Sequence, residues 1–119
     1  KILLCADTCT RVNAQQGTKI DANRISVRIE LMADCFAGVW AANADKKWQI
    51  LEKGDIEKAI NTAQAIGDDR LQQSARGYAV PDSFTHGSSA QRVEWLQRGL
   101  QSGRIDSCNT FASNNNARN

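Results

Sequence analysis

The sequence predicts a mainly α-helical, compact domain of four to five helices, on three observations. Ile25, Ile29, Met32, Phe36 and Trp40 recur at steps of three and four through one long stretch. Glycines at 54, 67, 77 and 103 punctuate three further stretches with helical periodicity, and acidic or serine residues stand at their starts. No alternation of apolar and polar residues persists long enough to mark a strand. An apolar fraction of 41% and a charged fraction of 24% are those of an ordinary globule rather than a disordered chain.

Taken in order, Ile2, Cys5, Cys9 and Val12 suit a short helix from Ile2 to about Asn13, which Gln15-Gln16-Gly17-Thr18 should end. Asp21 is a reasonable cap for the next helix, expected from about Ala22 to Ala44. Val27, Leu31, Cys35 and Val39 widen its apolar surface, so this helix is expected to lie deep in the domain with Ile25, Ile29, Met32, Phe36 and Trp40 in one core. Trp48, Ile50 and Leu51 should pack as a connector. Asp55 then caps a helix with the stripe Ile56, Ala59, Ile60, Ala63 and Ile66, broken by Gly67. Asp68 caps a shorter one holding Leu71 and Ala75, ending at Gly77. Asp55, Asp68 and Asp69 form a candidate acidic metal cluster, but the needs of two helix starts favour capping. Gly77 to Gly87, with the sole proline, reads as an irregular loop lining a site. Ser88 and Gln91 form a capping-box pattern before a last helix buried through Val93, Leu96 and Leu100 and stopped by Gly103. Residues 1–111 form the domain, and the polar run 112–119 reads as a disordered tail.

The chemistry gathers on the long helix. Glu30 and Asp34 are four residues apart and share a face. Like charges at that spacing repel by roughly 0.2–0.5 kcal/mol even when exposed, and burial raises the cost. None of their neighbours three or four positions away is cationic. Compensation must come from an arginine on another segment, from bound protons or from a metal. Gly38, one turn on, leaves room for something to approach.

Ser26-Val27-Arg28-Ile29-Glu30-Leu31-Met32-Ala33-Asp34-Cys35-Phe36-Ala37-Gly38-Val39-Trp40-Ala41 resembles a signature block of the bacterial neutral zinc metallopeptidase family, named for its H-E-x-x-H-type motif. The likeness continues through Gly54-Asp55-Ile56-Glu57-Lys58-Ala59, Ala65-Ile66-Gly67-Asp68-Asp69-Arg70-Leu71-Gln72, Val80-Pro81-Asp82-Ser83-Phe84-Thr85-His86-Gly87 and Ser89-Ala90-Gln91-Arg92, and closes at Cys108-Asn109-Thr110-Phe111. The resemblance implies a zincin-like peptidase domain of which this chain is the C-terminal part. It implies that Glu30 is the third zinc ligand and Asp34 a residue that orients a histidine ligand. It also implies that His86 faces the active site and that Arg92 pairs with acidic groups near the metal. No H-E-x-x-H occurs here, and His86 is the only histidine. The usual set of two histidines and a glutamate therefore cannot be assembled from this sequence, and the two-histidine helix is expected to precede Lys1. Zn2+ is expected in the intact protein and none on this chain alone, which should be inactive by itself.

A net charge of +2 without any basic block gives nucleic acid no support as a partner. No apolar run reaches the roughly 20 residues that span a bilayer. Four cysteines suit an oxidising compartment. Their connectivity stays open, whether Cys5 with Cys9 or Cys35 with Cys108. The resemblance implies a peptide or protein substrate and a cell-envelope, extracytoplasmic location, with any membrane anchor outside this chain. The alternative is a non-catalytic helical binding module derived from the peptidase fold.

Overall fold

From Thr8 to Trp48 the chain meets no proline, and it forms one helix of 41 residues, α1. At 1.5 Å per residue this helix is about 60 Å long, and it sets the longest dimension of the molecule, 59 Å. The structure, a computed structural model, describes residues 8–112, with side chains from Gly17 onward. Instead of two helices separated at Gln15–Thr18, α1 passes straight through Gly17. A lone glycine costs about 1 kcal/mol relative to alanine inside a helix, too little to break one flanked by Ala14, Gln15, Gln16 and Lys19. Asp21 accordingly lies inside α1 and caps nothing. The Cys5–Cys9 pairing and the tail from Ser113 lie outside the described residues. Lys46 and Lys47 occupy the last turn, where cations complement the helix dipole.

Three shorter helices follow: α2 (Asp55–Ala65), α3 (Asp68–Arg76) and α4 (Ser89–Ser102). Single 3-10 turns form at Pro81–Ser83 and Ile105–Cys108, and no strand forms among the described residues. The capping box at Ser88 is present in both directions, with Gln91 as its partner. The caps expected at Asp55 and Asp68 are not. Gly54 and Gly67 hold those positions without side-chain bonds, and the aspartates, one residue further in, bond elsewhere. Asp55 accepts the backbone N–H of Glu52 at 2.7 Å.

The core lies where α1 crosses α4. Leu31, Cys35, Val39, Trp95 and Cys108 form it, with Val27 and Met32 packed against them. What approaches at Gly38 is α4 itself. A Cβ on Gly38 would stand 2.5 Å from the carbonyl oxygen of Leu96, and one on Gly99 would overlap the carbonyl of Cys35. Two glycines facing each other let the backbones touch, which fixes the crossing point. Cys35 and Cys108 are joined by a disulfide that pins the second 3-10 turn onto α1. The Thr110 hydroxyl, buried, donates to the carbonyl of Arg28 at 2.6 Å.

The expected core stripe is therefore the wrong one. Ile25, Ile29, Phe36 and Trp40 are 49%, 54%, 41% and 64% exposed, while Leu31, Cys35 and Val39 are at most 7%. Only Met32 of the five reaches the core. Both faces of α1 are apolar, and periodicity favoured the one with larger side chains. The glycine pair brings α4 to the other. On α4 the fully buried residue is Trp95, with Val93, Leu96 and Leu100 only half-buried. Trp48, Ile50, Ile56, Ile66 and Leu71 are likewise exposed rather than packed, and Ala63 is the buried residue of α2.

Candidate active site

The two carboxylates of α1 have different fates. Asp34 is gripped in two-pronged fashion by Arg92 of α4, with Nε to Oδ2 at 2.8 Å and Nη2 to Oδ1 at 2.9 Å. Both side chains are largely covered. The Asp34 carboxylate raises the Arg92 guanidinium above its ordinary range, outweighing burial, and the negative charges of Glu30 and Asp68 add to it. The cation that Asp34 requires thus comes from another helix, in the planar fork that suits a carboxylate best. Glu30 has no ion pair or hydrogen bond to its carboxylate among the described residues, and it is half-buried rather than enclosed.

His86 sits on the segment between α3 and α4, which is tied to α1 from two places. The Ser26 hydroxyl, one turn before Glu30, donates to the carbonyl of Thr85 at 2.8 Å. Asn23 donates to the carbonyl of Asp82 at 3.0 Å. Gly87 has φ +102°, and its backbone lies against Leu31 and Val27. A side chain there would be strained and would press on the core. The imidazole itself is exposed, with Nδ1 3.0 Å from the Thr85 hydroxyl.

Asp68 and Asp69 hold this segment in place. The Asp68 carboxylate, 8% exposed, accepts the backbone N–H groups of Thr85, His86 and Gly87. Asp69 accepts both the N–H and the hydroxyl of Ser89 at 2.8 and 3.0 Å. Burial alone would raise the Asp69 carboxyl, but these bonds from Ser89, together with the backbone N–H groups of Arg70 and Asp69 itself, outweigh it and hold the group below its usual range. Ser89 also donates to the carbonyl of Gln64 at 2.6 Å, and Gly67 touches it without room for a Cβ. The sequence reading gave Asp68 a helix start to cap and left Asp69 only in a candidate acidic cluster. The signal that more was present was their pairing, since one helix start can use only one cap.

The structure thus brings Asp34 and Arg92 into contact, sets Glu30 close enough to act on the same guanidinium, and carries His86 to the neighbouring loop. The described residues contain no group of three or more histidine, cysteine, aspartate or glutamate side chains able to hold a metal. Among the described residues a zinc site cannot be assembled, and Glu30 stands there as a carboxylate without an ion-pair partner.

The profile of the family described as "Putative neutral zinc metallopeptidase" matches residues 3–111, and the chain belongs to that family. It is 54% identical over 109 residues to "Uncharacterized protein YpfJ" of Escherichia coli, a match covering 92% of this chain and 38% of the relative. It is 43% identical over 109 residues to "Uncharacterized protein Rv2575" of Mycobacterium tuberculosis, covering 84% of this chain and 37% of the relative. The chain therefore spans well under half the length of these relatives. No solved structure matches it significantly.

Proposed function

We propose that this chain is the C-terminal helical part of a zinc-dependent peptidase domain, in which Glu30 supplies the third metal ligand. The observation that carries the reading is the unequal pair on α1: Asp34 has its arginine and Glu30, one turn away, has no ion-pair partner among the described residues. When bound, zinc supplies the Lewis acidity that peptide hydrolysis needs at neutral pH. The rest of the task falls to side chains of this chain. Arg92 fixes Asp34, whose oxygens keep lone pairs beyond those used, enough to accept the distal N–H of a ligand histidine. His86 stands on a firmly anchored loop and donates a hydrogen bond to the oxygen of the attacked carbonyl as charge develops there.

The two histidine ligands belong to the rest of the protein. The exposed stripe Ile25, Ile29, Phe36 and Trp40 supports this, because an internal helix of a larger domain is apolar on two sides. The Cys35–Cys108 disulfide supports a location outside the cytoplasm. Among the described residues no helix is long and apolar enough to cross a membrane.

The test uses the full-length protein. Glu30→Ala is expected to lose both zinc and peptide hydrolysis. His86→Ala is expected to keep zinc and fold but to lower kcat at least tenfold with little change in KM, since one such donor contributes roughly a hundred- to a thousandfold. This chain alone is expected to retain no zinc through dialysis and to cleave no peptide. A full-length protein without zinc or chelator-sensitive hydrolysis would favour the binding-module reading.

A further inference from the structure

Asp68 is the one charged side chain among the described residues that is buried. Its Oδ2 accepts three successive backbone N–H groups, from Thr85 at 3.0 Å, His86 at 2.6 Å and Gly87 at 2.8 Å. The N–H of Asp68 itself donates back to the carbonyl of Gly87 at 2.8 Å. Three donors converge on one oxygen because Gly87, at φ +102°, curls the chain around it. Holding the turn would need no more than that. Yet the other oxygen, Oδ1, lies 3.5 Å from Nδ1 of His86. The Thr85 hydroxyl, on the same turn, meets the same nitrogen at 3.0 Å. One carboxylate thus holds the backbone that carries the imidazole and stands at ion-pair distance from the ring nitrogen that the Thr85 hydroxyl meets. The contacts of the ring run through Nδ1 and leave Nε2 as the nitrogen that can face a substrate.

We propose that Asp68 is a positioning residue for His86, clamping the Thr85–Gly87 turn through Oδ2 and, with both ring nitrogens carrying protons, facing Nδ1–H through Oδ1 so that Nε2–H is presented to the substrate. The proposal rests on the reading of His86 as a donor to the developing oxyanion. It assigns Asp68 a place outside the metal and outside substrate contact, and it gives the Asp-Asp pair at the start of α3 separate tasks. Asp69 holds the start of α4 through Ser89, while Asp68 serves the loop.

A mutant cycle in the full-length, zinc-loaded protein tests it, because residues that act as one unit are not additive. Asp68→Ala is expected to lower kcat at least tenfold, with KM within about twofold and zinc content unchanged, by analogy with loss of an oxyanion donor. The double variant with His86→Ala is expected to be no slower than His86→Ala alone. Amide hydrogen exchange at Thr85–Gly87 should speed up at least tenfold in Asp68→Ala, as expected when a local clamp opens. If Asp68→Ala fails to fold, Asp68→Asn, which keeps the shape and one acceptor oxygen, takes its place in the cycle. Full turnover in the Asp68 variant beside a slow His86→Ala would overturn the proposal, as would effects that multiply in the double variant. Unchanged exchange would overturn the clamp. Full turnover in His86→Ala would instead overturn the reading of His86, and the proposal with it.

Discussion

The two apolar faces of α1 differ in what covers them rather than in what they are made of. One face, Val27, Leu31, Cys35 and Val39, lies under α4 and the second 3-10 turn, closed by a disulfide and by the facing glycines 38 and 99. The opposite face, Ile25, Ile29, Phe36 and Trp40, carries larger side chains and stays exposed. Hydrophobicity alone does not choose a core. Close approach does, and it depends on small residues whose periodicity signal is weak. Between the two faces stand Glu30 and Asp34, the first without an ion-pair partner among the described residues and the second locked to the α4 side by Arg92.

The comparison predicts a large difference between equal truncations. In this chain Leu31→Ala should cost about 2–5 kcal/mol of unfolding free energy, as buried leucines do. Ile29→Ala should cost within about 0.5 kcal/mol, as at exposed positions. Urea denaturation of the two variants measures both. In the full-length protein the cost of Ile29→Ala should rise to about 2–5 kcal/mol if that face is covered. An equally small value there would break the account of the outer face.

The covered face can be sharpened through its covalent link. Replacing Cys35 and Cys108 together by serine should lower stability by about 2–4 kcal/mol, visible as a shift of the urea midpoint without a large change in slope. Thiol titration of the denatured, unreduced chain should find neither sulfur free.

The smallest effect concerns acid. Asp69 has a folded pKa below its ordinary value of 3.8, because burial is outweighed by the bonds from Ser89 together with the backbone N–H groups of Arg70 and Asp69. Its contribution to stability is present above the unfolded value and is lost as pH falls through the folded one. Stability attributable to Asp69 should therefore be intact at neutral pH and decline below pH 3.8. Ser89→Ala should flatten that decline, and denaturation midpoints followed down the pH scale would show it.

Much of this was legible in the sequence. The capping box at Ser88 and Gln91, the breaks at Gly67, Gly77 and Gly103, and the irregular loop around His86 all follow from local chemistry that tertiary packing leaves alone. Glu30 and Asp34 drew notice because nothing on their own helix could neutralise them, and Arg92 proved to be the partner of one. The choice of face on α1 was not legible, since it depends on Gly38 meeting Gly99, which are 61 residues apart in the sequence. Nor was the task of Asp68, whose partners are backbone N–H groups that carry no residue-type signal.

The central claim is that Glu30 and Asp34 divide their work, one towards metal and the other towards Arg92. Zinc retained after dialysis by the full-length protein, wild type against Glu30→Gln, tests it most directly. The variant keeps size and hydrogen bonding but gives up the anionic oxygen that a zinc ligand supplies. The account predicts stoichiometric zinc in the wild type and less than about a tenth of it in the variant, in line with the loss expected at a metal site. Stoichiometric zinc in Glu30→Gln would contradict it.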